Sequence, residues 1–425
     1  MWKVGAPGPT LYPVSASRAP RPVRRDLTAS CVDGCMFSVM VGAGETYFAA
    51  FALALGIDKV TAGLVATVPL LLGAAMQLVS PWAVSKLRSN GRWVVGTATA
   101  QALSLVPLIV AASAGWIPTV ALFAVLSVYF AAGFASGPAW TTWIETLVPS
   151  RIASPYYARR SVWCQLALLA TLLAAGAVLG AADGSGGRVT AFAALFVTAA
   201  LARVVSVRCL AMQSEPVPQP SGERHQSMTD LLCGPAHRPA RRLFVFLLAS
   251  YAAMQVAVPF ITSYLRGELR MPYAQFAVLL AIPYAARIAA TPWLGRIAQR
   301  LGARRLMWIG ALALVPSAAL WAVSSSFAWI ALVQLVSGFA MAAFELANLL
   351  LWFETIPAQD RTSMLTTYQF WYATAVVTGS VAGSLLLLAF GEGRDAFIVV
   401  FLASAAARVL SLGLFAWSGR VAPAR

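Results

Sequence analysis

Twelve long apolar runs, separated by short polar or basic stretches, follow one another along the chain: approximately 34–56, 60–85, 93–114, 118–144, 161–182, 189–211, 243–265, 273–294, 306–325, 327–352, 364–390 and 396–418. Each is close to or above the length of about 20 apolar residues that a helix needs to cross a bilayer. The runs are continuous, whereas barrel strands alternate between an apolar and a polar face over short segments. The pattern predicts an all-α integral membrane protein with twelve transmembrane helices in two pseudo-symmetric six-helix bundles.

The two-bundle division comes from an internal repeat. Trp143-Ile144-Glu145-Thr146 returns as Trp352-Phe353-Glu354-Thr355 after 209 residues, and Pro81-Trp82 with Gly91 returns as Pro292-Trp293 with Gly302. Ala202-Arg203-Val204-Val205-Ser206 returns as Ala407-Arg408-Val409-Leu410-Ser411, and Gly176/Gly180 as Gly379/Gly383. Four matches in one order at nearly one offset mark a duplicated membrane unit, an architecture typical of transporters. The expected layout is a basic, Pro-rich, disordered tail at 1–30, a first bundle at 31–211, a linker at 212–242, a second bundle at 243–418 and a tail at 419–425.

Composition agrees. Apolar residues make up 60% of the chain and charged residues 11%, against roughly 45–50% and about 25% in soluble domains. The net charge of +16 follows the membrane rather than nucleic acid. Lys and Arg gather in the N-terminal tail and in alternate loops (Lys86, Arg88, Arg92; Arg159, Arg160; Arg241, Arg242; Arg300, Arg304, Arg305). That alternation places both termini in the cytoplasm of a multi-pass plasma (inner) membrane protein, with its basic loops against anionic lipid. No cleavable signal peptide precedes the first run. Cys31, Cys35, Cys164, Cys209 and Cys233 lie in spans or on the cytoplasmic side, so no disulfide framework is expected. The pairs Cys31/Cys35 and Cys233/His237 each lack further ligands, so neither metal nor cofactor is expected. The only histidines, His225 and His237, are in the linker. Without a nucleophile–base constellation or a nucleotide-binding signature, an enzyme or a directly ATP-driven pump is not expected.

Twelve spans in two halves, joined by a long cytoplasmic loop, resemble the major facilitator superfamily. At residue level the resemblance rests on Gly295, Gln299, Arg300, Gly302, Arg304 and Arg305 between spans eight and nine. This is similar to the family's loop signature of Gly, Asp, a basic residue, Gly and a basic cluster, with Gln299 where Asp is usual. The first-half copy keeps Lys86, Gly91 and Arg92, with Ser85 near the Asp position. The resemblance covers about 30–420, and implies that spans one, four, seven and ten surround a central path, with two, five, eight and eleven beside them. Span five lacks the proline of the Gly-Pro-rich signature of drug/proton antiporters.

A charge near the bilayer centre is kept for a partner or a function. Glu145/Glu354 and Arg203/Arg408 occur in both halves and are expected to form ion pairs within each half, with cytoplasmic gating as the other reading. Glu45, Arg287 and Glu345 have no charged counterpart in the opposite half. Glu45 lies about 16 Å into span one at 1.5 Å per residue, near the midplane. Arg287 and Glu345 share a depth, which fits either an ion pair or a ligand site. Asn348 follows Glu345 on one face of span ten; Tyr47, Gln255, Tyr368 and Gln369 add polar and aromatic groups. The expected function is secondary active transport of a small molecule by alternating access. Arg287 would engage an anionic or zwitterionic substrate, and Glu45 or Glu345 would carry a coupling proton. The protein is expected to act as a monomer. A receptor that binds without transporting, and a lipid-translocating transporter, stay open as alternatives.

Overall fold

The computed structural model describes residues 21–65, 67–77, 79–182, 187–215, 238–355, 361–391 and 393–418. Every regular element among them is helical. In a bilayer a helix is the element that satisfies its own backbone groups, and twelve helices are long and apolar enough to cross: Val23–Ala54, Lys59–Gln77, Asn90–Ala114, Thr119–Leu147, Arg159–Ala182, Val189–Ala211, Ala240–Glu268, Tyr273–Leu301, Ala303–Ala322, Phe327–Trp352, Tyr368–Phe390 and Arg394–Ala416. These are spans one to twelve. Their outer faces carry exposed Leu103, Val110, Leu385, Leu388 and Leu410, side chains that lipid covers.

Span one begins earlier than the apolar run implied. Its helix starts at Arg21, and Asp26 and Ser30 are buried, so residues 21–30 belong to the first bundle rather than to a disordered tail. The linker is likewise shorter than 212–242. Met212–Glu215 is held against the first bundle, and Arg238 already starts the helix of span seven. Residues 216–237, including Cys233 and His237, and the tails 1–20 and 419–425 lie outside the described residues.

Two features show how the halves meet. At the end away from the termini one apolar core runs through both bundles, joining Phe48, Phe51 and Phe196 to Phe260, Tyr264 and Phe401. At the end carrying the termini the core splits in two, one part around Val94, Trp143 and Leu210 and the other around Phe246, Phe344 and Phe415. The halves touch through spans five and eight, spans two and eleven, and the distal ends of spans one, two and seven. The bundle is therefore closed at the distal end and parted at the terminal end.

The closure uses small residues and one charge pair. A Cβ on Gly176 would stand 2.0 Å from that of Ala277, and one on Gly180 3.2 Å from that of Ala274, so spans five and eight approach as closely as glycine permits. The repeat pair Gly379/Gly383 packs on the carbonyls of Ala252 and Val256 of span seven instead. Lys59 Nζ meets Glu268 Oε2 at 2.7 Å across the halves. The pair joins the start of span two to the end of span seven.

Candidate functional site

Spans one and seven both break. The α-helix of span one stops at Ala43, a 3-10 turn covers Glu45–Tyr47, and the helix resumes at Phe48. Span seven stops at Gln255, has a 3-10 turn at Val258–Phe260 and finishes in a π-helical turn, Ser263–Glu268. Gly42 and Gly44 supply the local cause in span one, together with Thr46, whose hydroxyl donates to the Val41 carbonyl at 2.9 Å. Pro259 does so in span seven, since it has no N–H to give the helix. The two breaks are repeat-equivalent, and Glu45 and Gln255 stand at them. Discontinuous helices at the interface of repeats are where transporters build their binding sites.

In the first half, Glu45 is half-buried, and its Oε2 accepts from the hydroxyl of fully buried Tyr129 of span four at 3.1 Å. Behind Tyr129 lies a closed charge cluster. Arg203 Nη1 donates to Ser206 Oγ at 2.8 Å, and Ser206 Oγ donates to Asp33 Oδ1 at 2.6 Å. Arg160 Nη2 stands 3.6 Å from Asp33 Oδ2, and its Nε donates to the Ser30 carbonyl. Asp33, Arg203 and Ser206 are all buried, so this cluster ties spans one, five and six together out of ligand reach.

In the second half, Arg287 Nη2 donates to Glu345 Oε2, and each side chain is about a third exposed, 34% and 36%. Tyr284, one turn before Arg287, lies in the electrostatic neighbourhood of Glu45, Arg287 and Glu345 together, and so joins the two halves of the site. Beside Glu345 is an aromatic wall: Tyr251 meets Tyr372 edge-on at 4.7 Å, and Trp352 meets Tyr368 at 4.9 Å. The Tyr368 hydroxyl lies near Asn348 and Tyr251. Asn348 Oδ1 and Gln255 Oε1 are buried without a partner.

Residues 243–425, essentially the whole second half, match the family model of the Major Facilitator Superfamily. The first half is the repeat copy of that region, and both halves share the fold of solved transporters. The superfamily match is to the second half of the chain. The nucleoside transporter NupG superposes with a TM-score of 0.68 at 16% identity, over 95% of this chain and 100% of that one. A bacterial homolog of the human lysosomal transporter Spinster, inward-facing and unoccupied, gives 0.72 at 13%, over 96% and 100%. A bacterial homologue of the iron transporter ferroportin, inward-facing, gives 0.68 at 16%, over 93% and 99%. At such identities the likeness shows the fold. No curated protein sequence matches the chain.

Within the superfamily fold several expected roles change. The pairs Glu145–Arg203 and Glu354–Arg408 do not form. Both glutamates are exposed at the terminal exits of their helices, while both arginines are buried. Arg203 is taken by Ser206 and Asp33, and Arg408 Nη1 donates to the Leu314 carbonyl at 2.7 Å and to Ser317 Oγ at 3.0 Å. Of the two roles open to Arg287, the ion pair with Glu345 is the one formed. Tyr47 does not face the path: it is fully buried, donates to the Leu172 carbonyl at 2.7 Å and packs on Phe276. Gln369 is half-buried and Tyr368 is buried within the aromatic wall.

The loop signature is described in full. Gly295, Gln299 and Arg300 continue span eight, with Gln299 and Arg300 exposed. Gly302 ends it at φ +80°, a conformation that favours glycine. Arg304 lies over the Phe415 ring and Arg305 is exposed.

In the first-half copy a carboxylate arrives from an unforeseen place. Glu215, at the start of the linker, accepts from Ser89 Oγ and from the Gly91 N–H (3.1 Å), and Trp143 Nε1 donates to the neighbouring Ser214 carbonyl at 3.0 Å. Asp33 and Tyr129 were also missed. Asp33 preceded the first apolar run, and nothing in sequence distinguishes Tyr129 from a packing tyrosine.

Proposed function

We propose that this protein is a secondary active transporter that carries a small polar molecule by alternating access. The repeat-equivalent breaks in spans one and seven support this reading: Glu45 and Gln255 stand at them, and Tyr284 lies in the electrostatic neighbourhood of Glu45, Arg287 and Glu345. The parted terminal end gives access to these breaks, and the joint distal core with its Lys59–Glu268 pair closes the other side. Rocking of the halves would open one end as it closes the other. The basic terminal end is the cytoplasmic one on the distribution of Lys and Arg, which puts both termini inside the plasma (inner) membrane.

Glu45 serves as the coupling residue, holding a proton when the site is empty of substrate. It is a carboxyl group at a helix break that accepts from the neutral hydroxyl of Tyr129, and intramembrane acids of this kind form proton relays. Glu345 is tied to Arg287 and is the weaker carrier. In proteoliposomes, Glu45→Gln should abolish accumulation driven by a proton gradient while exchange of substrate across the membrane persists at saturating substrate. Accumulation by Glu45→Gln equal to that of the wild type would remove Glu45 from coupling.

A further inference from the structure

We propose that the central site takes a small organic cation, a protonated amine carried on a flat apolar or aromatic group. The inference rests on the transport-site reading above and gives it a ligand class. Three charged side chains at the site are accessible enough to touch a ligand. Arg287 and Glu345 neutralise each other, and their direct contact leaves Arg287 little capacity for an anion. Among the described residues Glu45 is opposed by no cation within contact; the nearby Arg203 is buried behind Tyr129 and bound into the Asp33 cluster. The accessible charge is therefore a single carboxylate.

The neutral groups repeat the preference. Gln255 Oε1 and Asn348 Oδ1 are buried acceptors without a donor, and an unmade hydrogen bond at a buried acceptor is a vacancy that an N–H fills. Asn348 lies beside Tyr368. Tyr284, Tyr251 and Tyr372 add ring faces, which attract cations. An anion would meet a carboxylate and two acceptors, and a zwitterion would have to break the Arg287–Glu345 pair. An ammonium group instead pairs with Glu45, and the amide oxygens offer further acceptors for N–H groups. Glu45 then holds a proton in the empty site and the ammonium in the loaded one.

Three probes of one shape and different charge separate the possibilities on the purified full chain: tyramine (cation), 4-ethylphenol (neutral) and 3-(4-hydroxyphenyl)propanoate (anion). Tyramine should raise the melting temperature saturably and the other two should not. Glu45→Gln should weaken tyramine binding about tenfold or more, as expected for loss of a charged hydrogen-bond partner, and Asn348→Ala should weaken it by a smaller factor. Stabilisation by the propanoate, no stabilisation by tyramine, or equal stabilisation of Glu45→Gln by tyramine would each overturn the proposal. If Glu45→Gln does not fold, the wild-type probe series and Asn348→Ala decide. Counterflow of the same probes in proteoliposomes separates the two readings. Tyramine binding without counterflow would retire transport but keep the ligand class. Propanoate counterflow would retire the ligand class but keep transport.

Discussion

Neutralising the Lys59–Glu268 pair should bias the protein toward opening at its distal end. Lys59 and Glu268 meet at 2.7 Å with a quarter of each side chain exposed. At an effective dielectric of about 20, two unit charges 4 Å apart attract by about 4 kcal/mol. Solvent screening and side-chain ordering reduce the net worth of a pair this exposed to about 1 kcal/mol. Lys59→Gln should therefore shift the balance between distal-closed and distal-open states about fivefold. Glu268→Lys adds repulsion of similar size beside Arg266 and Arg270, so its shift should approach about 2 kcal/mol, or about thirtyfold. The double swap Lys59→Glu/Glu268→Lys should return the balance toward the wild type. A reporter stands next to the pair: Ser263 is fully buried and donates to the Lys59 carbonyl at 2.7 Å. Ser263→Cys should react with a membrane-impermeant thiol reagent from the distal side at rates that follow these populations. Unchanged labelling in Glu268→Lys, or a swap that labels as fast as the single reversal, would refute the assignment of this pair as the distal latch.

Three further outcomes are expected. Arg203→Gln leaves buried Asp33 with Arg160 alone, and removing one member of a buried charge set costs about 3–5 kcal/mol; folded yield and melting temperature should fall sharply. Arg408→Gln strands no acid, because Arg408 is held by a carbonyl and a hydroxyl, so its melting temperature should fall less than that of Arg203→Gln; the reverse order would contradict the description of the two sites. Gly176→Ala forces spans five and eight apart at Ala277, an overpacking of about 1–3 kcal/mol, and should speed distal labelling of Ser263→Cys, whereas Gly413→Ala, which meets nothing within 4 Å, should not.

The architecture was legible because bilayer thickness and the repeat act through composition and spacing, which a sequence displays directly. Spans three to six and nine to twelve fall within a few residues of their apolar runs. The start of span one was hidden because Arg21–Asp33 is polar where it leaves the apolar run, although Asp26, Ser30 and Asp33 are buried by neighbouring helices. Glu45, Arg287 and Glu345 could be singled out because a charge in an apolar run stands out. Which charge met which could not be read, since shared depth and symmetry do not fix rotation about a helix axis. Arg203 thus turned to Asp33 on span one rather than to Glu145, and Lys59 found its partner in the other half. Glu215 shows the same limit: its backbone belongs to the linker, and its carboxylate completes a loop 124 residues earlier.

Alternating access is most directly tested at position 255, at the break of span seven and between the two ends. In a chain whose other cysteines are replaced, Gln255→Cys should react with an impermeant thiol reagent applied from the terminal side. Adding Glu268→Lys should lower that rate while raising the rate from the distal side. Reciprocal change is the result expected of a bundle that opens one end as it closes the other. Rates that rise together from both sides would mean a pore. A residue reachable from the terminal side alone, with the latch reversed, would mean a receptor that binds without transporting.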